Sequence, residues 1–439
     1  MRGARRWLRV PGRAWHWLGV PALLAVAAVG GCGGGGSPET PAGFMSGQEA
    51  DLVIGQVDFA GRNANQGGVA PTGQTLAAPQ GLAVTGDGQL LVADSRNHRV
   101  LLYPAVLQDT GTPAIRVIGQ ADMTAQQPAT SATRLSSPVG VAWSDQGIAI
   151  ADQSNSRVLV FNALPSADGA AADLVLGATD FTTVSAGCSA TQLAVPSAVS
   201  LGTPTKTIVA DSKNQRVLMW SAWPGPSASN GAAADVVFGQ TSFTECGIAA
   251  TATASSLTDP GGVWTDGRRL LVADTRNNRV LVWDDIRNAS NGAPASRVLG
   301  QSSMNRSVQA GPASQPPSAP DSPPGDMRSV AVVGSPGSAP PPSTPATTSQ
   351  TLSSPAHVSS DGTRVVVSDT GNHRVLIWNR WPETSGQPAD VVIGQPDFAS
   401  NTAGQGRQGL NRPTGVALQG HRLYVADTNN HRVLVLQAR

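Results

Sequence analysis

A six-residue motif that occurs six times constrains the fold of this chain more than any other feature. Each copy has Asp first, Asn fourth and Arg sixth, as in residues 427–432 (DTNNHR), and lies between two short apolar runs. The copies begin at Asp94, Asp152, Asp211, Asp274, Asp369 and Asp427. Two apolar runs around a polar turn predict a β-hairpin. Within it we expect the Asp to accept backbone N–H groups, the Asn to take the left-handed conformation, and the Arg to fold back on the Asp, with bidentate geometry available.

Two further strands complete each unit. One starts at a Pro before the hairpin, as in residues 79–84, and the other has the form Val-Ile-Gly-Gln, as in residues 117–120. A four-stranded unit repeated roughly every 60 residues predicts an all-β fold, a six-bladed β-propeller of four-stranded antiparallel blades. The chain starts with a lone fourth strand at residues 51–56 and stops after a third strand. The N-terminal strand is therefore predicted to complete the last blade and close the ring, which removes open sheet edges.

The repeated pattern Gly-Val-Ala-Val followed by Val-Ala-Asp-x-x-Asn-x-Arg-Val resembles the NHL repeat. Three copies hold the literal Asn-His-Arg, from Asn97, Asn372 and Asn430. The resemblance covers residues 49–439 apart from one insertion. It implies the propeller fold but not an activity, because NHL-like propellers serve as binding platforms, lipoproteins and occasional enzymes.

The first 31 residues have the pattern of an export signal. A basic start is followed by an apolar stretch at residues 18–28 and then by Gly30-Gly31-Cys32. This resembles a bacterial lipobox, which implies that Cys32 carries a lipid and becomes the new N-terminus. The alternative is an ordinary signal peptide with an incidental Cys. Residues 32–48 are predicted to be a flexible Gly/Pro-rich tether, so we expect an exported protein anchored to the bacterial cell envelope, at the outer membrane or periplasmic face of a Gram-negative cell.

The fifth repeat interval is longer than the others, and the excess lies at residues 305–350. This stretch is rich in Pro and Ser, so it buries too little apolar area to offset its ordering entropy and is predicted to be a disordered insertion. A short apolar run at residues 330–333 leaves a strand open as the alternative.

Cys188 and Cys246 are the two remaining cysteines after Cys32. Both follow a fourth strand, in successive blades, so a disulfide between them is one prediction for an oxidising compartment. Two free thiols are the alternative. No His or third Cys lies at zinc-ligand spacing.

Residues present in every unit perform the same structural task six times. By this rule the conserved carboxylates and guanidinium groups are turn latches and not catalytic groups. The pairs are Asp94 with Arg99, Asp152 with Arg157, Asp211 with Arg216, Asp274 with Arg279, Asp369 with Arg374, and Asp427 with Arg432. His98, His373 and His431 fall in the same turn, spread around the ring, so they are not expected to meet at a metal.

Residues that differ between units are the candidates for function. The first strands line the central channel, and we assign six candidate binding residues to its mouth: Gln80, Ser197, Thr414, His357, Trp143 and Trp264. His357 is the most distinctive, since it replaces Gly or Ala in the other five units. A hydrogen-bonded structural His, and packing of the two Trp side chains, are the alternatives.

Resemblance to propeller lactonases and amidoglycolate lyases implies a divalent metal at the channel mouth. The channel residues supply one His, one Gln and two hydroxyls but no carboxylate, which is a poor ligand set, so we predict no cofactor. A net charge of +1 argues against nucleic-acid binding, which needs a basic face. The leading prediction is a monomeric binding platform for a protein, peptide or glycan. The alternative is a metal-dependent hydrolase or lyase at the channel mouth.

Overall fold

The computed structural model describes residues 43–203, 206–226, 228–309 and 346–439. The predicted signal segment, Cys32, residues 32–42 of the tether and residues 310–345 of the insertion, with its apolar run, lie outside the described residues. No helix in the described part of the chain has both the length and the apolar character needed to cross a membrane.

Twenty-four strands in the described ranges form six antiparallel sheets of four strands. The first three blades consist of β2 (Pro79–Val84), β3 (Leu90–Asp94), β4 (Arg99–Tyr103), β5 (Arg116–Ile118); β6 (Pro138–Ser144), β7 (Gly147–Asp152), β8 (Arg157–Phe161), β9 (Leu174–Leu176); and β10 (Pro196–Gly202), β11 (Lys206–Asp211), β12 (Arg216–Trp220), β13 (Val236–Phe238). The last three consist of β14 (Pro260–Thr265), β15 (Leu270–Asp274), β16 (Arg279–Trp283), β17 (Arg297–Leu299); β18 (His357–Ser360), β19 (Val365–Asp369), β20 (Arg374–Trp378), β21 (Val391–Ile393); and β22 (Pro413–Gln419), β23 (Arg422–Asp427), β24 (Arg432–Gln437) with β1 (Leu52–Ile54). The predicted six-bladed propeller is confirmed.

Blade 6 is closed by the N-terminal strand. The sheet order is β1-β24-β23-β22, and β1 pairs antiparallel with β24 so that Val53 lies opposite Leu434. The two ends of the propeller domain therefore meet in one sheet, as the strand order of the sequence predicts.

Six apolar cores lie between neighbouring blades. Each cluster draws buried side chains from two adjacent sheets, as where Leu76, Leu101 and Tyr424 pack together between blades 6 and 1. Because every sheet is covered on both faces, its strands are apolar almost throughout instead of alternating.

The motif Asp and Arg form a fully buried ion pair in each blade. In blade 1, Asp94 Oδ2 accepts from Arg99 Nε at 2.8 Å and from Asn97 Nδ2 at 2.7 Å, and Oδ1 accepts from the backbone N–H of Ala77 at 2.7 Å. Burial raises the pKa of the Asp94 carboxyl, and the guanidinium and these donors oppose that shift. The other pairs lie at 2.6–2.8 Å: Asp152–Arg157, Asp211–Arg216, Asp274–Arg279, Asp369–Arg374 and Asp427–Arg432.

Each latch Arg also ties together the loops on either side of its blade. The remaining N–H groups of Arg99 donate to the carbonyls of Thr72 and Thr75 before the blade and of Met123 after it. The Asp therefore receives one N–H from the Arg, and the bidentate geometry left open by the sequence is not used. The latch fixes loops as well as the hairpin.

The left-handed residue of the turn is the one after the Asn, which corrects the sequence prediction. In blade 1 His98 has φ 53°, whereas Asn97 lies in a one-turn 3₁₀ helix and uses its amide to bond Asp94. The 3₁₀ turns are Ser95–Asn97, Gln153–Asn155, Ser212–Asn214, Thr275–Asn277, Thr370–Asn372 and Thr428–Asn430, with one more at Ala64–Gly67.

Two predicted boundaries change. The backbone N–H of Gly43 donates to the Arg439 carbonyl at 2.9 Å and Phe44 is buried, so residues 43–48, predicted to be part of the tether, pack with the propeller. At the insertion, Arg374 donates to the Thr348 carbonyl at 2.8 Å and Gln309 to Ser353 Oγ at 3.1 Å. The flanks at 305–309 and 346–350 therefore belong to the blades.

Cys188 and Cys246 form a disulfide, with their Cα atoms 6.4 Å apart. One lies in the loop before blade 3 and the other in the loop after it. Arg216 hydrogen-bonds the same two loops, donating to the carbonyls of Ser189 and Phe243. Blade 3 is thus held by its latch and by a covalent link that run in parallel.

Candidate functional site

The inner strands of the six blades enclose a channel with a narrow waist. A Cβ on Gly262 would lie 2.5 Å from the Cα of His357, and a Cβ on Gly415 would lie 1.8 Å from the Gln80 carbonyl oxygen. Neighbouring inner strands therefore approach too closely for a side chain larger than that of Ala at this level. His357 is the exception, and its imidazole borders the cavities on both sides of the waist.

The cavity on one side, which we call the latch-side chamber, has a volume of about 170 Å³. It opens towards the face that carries the latch turns, and the predicted candidates Gln80, Ser197, Thr414 and His357 line it. Ser197 Oγ donates to the Pro260 carbonyl at 2.7 Å, and the hydroxyls of Thr414 and Thr428 lie 2.6 Å apart. The Ser197 hydroxyl binds blade 3 to blade 4 and the Thr414 hydroxyl bonds within blade 6, whereas the Gln80 carboxamide makes no hydrogen bond within the described residues.

His357 has an imidazole without a hydrogen-bond partner among the described residues. Its backbone N–H donates to Ser368 Oγ at 2.8 Å, but Nδ1 is buried and unpaired. Burial lowers the pKa of His357 to about 4, so the ring is neutral near pH 7. The hydrogen-bonded structural His considered from the sequence does not describe this side chain.

Gln153 also lines the latch-side chamber, and the sequence analysis missed it. It holds the first position of the blade 2 latch turn, where the other five blades have Ser or Thr. Each of those hydroxyls donates to the carbonyl of the Pro that starts the next blade: Ser95 to Pro138, Ser212 to Pro260, Thr275 to Pro355, Thr370 to Pro413 and Thr428 to Pro79. The sequence does distinguish Gln153, because it is the one residue directly after a motif Asp that is neither Ser nor Thr.

Trp143 and Trp264 lie at the opposite end of the channel, so the six predicted mouth residues do not form one site. Both side chains are partly exposed beside a cavity of about 290 Å³. On the rim, the Arg269 guanidinium lies 3.9 Å from the ring centroid of Trp381, and the rings of Trp264 and Trp381 are 5.8 Å apart. Asp266 holds Arg269 at 2.7 Å.

We call this surface the tryptophan groove: Trp143, Trp264, Trp381, Asp266 and Arg269. A second cavity of about 540 Å³ continues it outwards, lined by Asp266, Arg268, Arg269, Asp284 and Trp381. Trp381 and Arg269 were not predicted from the sequence, because they come from different blades and meet only in the folded propeller. The groove offers exposed aromatic edges and one stacked cation, features that suit docking of another molecule more than bond chemistry.

Acidic, imidazole and thiol side chains do not gather in groups of three or more that could hold a metal ion anywhere in the described ranges. His98, His373 and His431 lie at three separate blade junctions. There each Nδ1 accepts the backbone N–H of the residue before the next blade's Pro, from Ser137, Arg412 and Ala78 at 2.9–3.0 Å. Burial lowers the pKa of all three, which keeps the accepting nitrogen unprotonated.

Comparison with known proteins adds the following likenesses. The sequence model of the NHL repeat matches residues 76–102 and 410–436. The chain is 36% identical over 76 residues to NHL repeat-containing protein 2 of Gallus gallus, and 37% identical over 78 residues to that of Bos taurus. These stretches cover 17% and 18% of this chain, and the chain spans about a tenth of the length of the curated relatives it matches, 10% in each case.

Similar solved structures include one from a nidogen/laminin complex, with a TM-score of 0.44, 14% identity, and coverage of 80% of this chain and 89% of that one. Virginiamycin B lyase from Staphylococcus aureus has a TM-score of 0.40 at 10% identity over 84% and 98% of the two chains. Kuenenia stuttgartiensis hydrazine synthase has a TM-score of 0.43 at 11% identity over 85% and 98%. We transfer no activity or ligand from them.

The matched segments coincide with the first three strands of blades 1 and 6. The hairpin of each is closed by the latch described above, which the other four blades share. Blades 1 and 6 of this six-bladed β-propeller are therefore the two blades that the NHL repeat model matches.

Proposed function

We propose that this protein is an exported, lipid-anchored NHL-repeat propeller that binds a polypeptide partner at the cell envelope through the tryptophan groove. The observation that carries the proposal is the cluster of Trp264, Trp381 and Arg269 beside two open cavities. Trp and Arg dominate the energetics of protein–protein interfaces, where they act as large anchors in desolvated pockets.

The charges of the groove favour this kind of partner. Asp266 is paired with Arg269, and Asp284 with Arg297, so a polypeptide that covers the groove leaves neither carboxylate buried alone. Arg268 projects into solvent at the rim and is available to an acidic or carbonyl group of the partner. A glycan uses aromatic platforms too, and we treat it as an outcome that would overturn the polypeptide assignment.

The envelope location rests on residues of the N-terminal segment and on one bond. Cys32 follows small residues and precedes a Gly-rich stretch, and a disulfide suits the oxidising compartment outside the cytoplasm. Replacing Cys32 with Ser is expected to release the protein from membrane fractions. Membrane association that survives this change, with lipid still attached, would remove Cys32 as the anchor.

The groove is tested by placing a photo-reactive amino acid at position 268 of the full-length protein in cells. We expect a discrete polypeptide adduct that disappears in the Trp381→Ala variant. The matched control places the same group at position 306, where Arg306 is also exposed but lies in the loop after the same blade, beside the latch and away from the groove. No adduct at position 268, an adduct of equal yield at position 306, or recovery of polysaccharide alone would each contradict the proposal.

The metal-dependent hydrolase or lyase is distinguished by elemental analysis and native mass spectrometry of the purified protein. The binding platform is expected to retain no stoichiometric divalent ion. One tightly held ion per chain would instead favour the enzyme and make His357 the first residue to replace.

A further inference from the structure

Two residues that line the latch-side chamber, on different blades, differ from the residues at the same repeat position in the other five blades. Blade 2 places Gln153 where five other turns have a hydroxyl that bonds the next blade, and blade 5 places His357 where the other inner strands have Gly or Ala. The first change gives up an inter-blade hydrogen bond, and the second puts a large ring into the waist of the channel. Departures that weaken a repeat and meet at one place point to a function there.

Three polar side chains of this chamber lack a hydrogen-bond partner among the described residues. The carboxamides of Gln80 and Gln153 make no hydrogen bond within the described residues, and Nδ1 of His357 is buried without a partner. A buried polar group without a partner destabilises the fold. Ser197 and Thr275, which also line the chamber, donate their hydroxyls to carbonyls of the next blade, and the Thr414 hydroxyl bonds that of Thr428 in its own blade. Three unpaired side chains from blades 1, 2 and 5 therefore converge while their neighbours are satisfied.

The chemistry of these three side chains selects a class of ligand. Each carboxamide offers an acceptor oxygen beside a donor NH2 group, and a neutral imidazole offers one donor and one acceptor nitrogen. The low pKa of His357 keeps its ring neutral. The one carboxylate at the rim, Asp259, is held by Arg276 at 3.5 Å. Such a set matches hydroxyl groups, which donate and accept together, and it offers no net charge to an ion.

We propose that the latch-side chamber binds a neutral, hydroxyl-rich molecule the size of a single sugar ring, held by Gln80, Gln153 and His357. The chamber volume of about 170 Å³ lies below that of sites for drug-sized ligands and suits one ring. Val139 and Ala356 supply apolar wall for its C–H face. His357 closes the inner end, so the molecule enters from the latch face and does not pass through the waist.

The test uses the full-length protein with a defined set of probes: D-glucose, D-galactose, D-mannose, N-acetyl-D-glucosamine and myo-inositol, each at millimolar concentration. Saturation-transfer NMR reports binding, and ¹⁵N chemical shifts of the imidazole report contact with His357. We expect at least one probe to bind and to shift the His357 nitrogens. No binding by any of the five, or binding without a shift, overturns the proposal.

Two variants restore the residues of the other repeats and so keep the fold. Gln153→Ser returns the inter-blade hydroxyl and is expected to raise the melting temperature while weakening sugar binding by about tenfold, the loss expected for one buried hydrogen bond with its partner left unpaired. His357→Ala is expected to abolish the ¹⁵N response and weaken binding by at least as much. Two matched changes at exposed glutamines outside the chamber, Gln408→Ser and Gln350→Ser, are the controls.

Unchanged affinity in Gln153→Ser, or equal losses in the two control variants, contradicts the site. Binding of inorganic phosphate in preference to every sugar contradicts the neutral ligand. Because the tryptophan groove lies at the other end of the channel, loss of its partner and loss of the sugar are separate measurements.

Discussion

The two halves of the ring make the same blade junction with different residues. At the junctions 5/6, 6/1 and 1/2 the acceptor for the next blade's backbone N–H is the Nδ1 of His373, His431 and His98. At the junctions 2/3, 3/4 and 4/5 it is the side-chain oxygen of Ser156, Gln215 and Asn278. We call these the histidine half and the amide half. The position requires a left-handed residue with an acceptor, and a titratable acceptor is optional.

The weakest junction of the amide half is the one beside the disulfide. Between blades 2 and 3 the Ser156 contact is 3.4 Å long, and Gln153 replaces the bridging hydroxyl. Ala178 stands where five other blades have a Gln that donates to the carbonyl of the left-handed residue, as Gln120 does to His98. The Cys188–Cys246 bond, which spans blade 3, therefore lies beside a junction with two lost polar contacts and one long one.

The largest loss of stability is expected when a latch Arg is replaced, and one variant is made in each half of the ring. Arg99→Ala leaves Asp94 buried without its partner, and breaking a buried ion pair lowers the free energy of unfolding by about 3–5 kcal/mol. Arg216→Ala is expected to lose less, because the disulfide still holds the loops around blade 3. Chemical denaturation of both variants measures the difference, with Arg287→Ala, an exposed pair, as the unaffected control. Equal losses at positions 99 and 216 would show that the disulfide does not share the task of the latch.

Removing the disulfide is expected to have the next largest effect. Replacing both cysteines with Ala lowers the free energy of unfolding by about 2–4 kcal/mol in the chain-entropy account. Hydrogen exchange should rise in blades 2 to 4 and stay constant in blades 6 and 1, because the lost constraint lies in the amide half. A uniform rise around the ring would contradict a local role for the bond.

Acid is expected to destabilise the histidine half more than the amide half, because only the histidine half has titratable acceptors at its junctions. Burial holds the pKa of His98, His373 and His431 below the usual 6.5 in the folded protein. The unfolded chain therefore binds more protons as pH falls below 6.5, and stability decreases in that window. The charged groups nearest these rings are Asp94 at His98, Arg412 at His373 and Arg96 at His431. The last two oppose protonation.

The measurement compares wild type with the triple variant His98→Asn, His373→Asn, His431→Asn between pH 7.5 and 5. Each junction that loses its hydrogen bond in acid contributes roughly 1 kcal/mol, so the wild type should lose more stability than the variant. His357, whose pKa is lowered to about 4, remains in both proteins and sets the residual slope. Parallel pH profiles would show that the junction histidines carry no acid sensitivity.

The fold could be predicted because the same sequence pattern, and so the same local structure, occurs six times along the chain. Period, turn chemistry and strand order together determined blade number and ring closure. The turn geometry was misassigned by one residue, since both Asn97 and His98 tolerate a left-handed backbone and only the tertiary bonds of the latch decide between them.

The candidate site was predicted in part. His357 stood out because it replaces the Gly or Ala of the other five units, and Gln80 was included as a polar residue of the first strand; both line the latch-side chamber. Trp143 and Trp264 were assigned to the same mouth, but they lie at the other end of their strands, on the opposite face. Arg269 and Trp381 meet across two blades, a proximity that no spacing along the chain encodes.

The smallest effect is expected from exchanging one acceptor for another at neutral pH. His431→Asn copies the residue that Asn278 provides at the junction 4/5, where its Oδ1 accepts from Ser354 at 2.9 Å. Asn takes the left-handed conformation readily, so the free energy of unfolding at pH 7.5 should change by about 0.5 kcal/mol or less. His431→Ala, which removes the acceptor from the backbone N–H of Ala78, is the matched comparison and should lose roughly 1 kcal/mol. Equal losses in the two variants would mean that packing of the imidazole, and not its accepting nitrogen, holds blade 6 against blade 1.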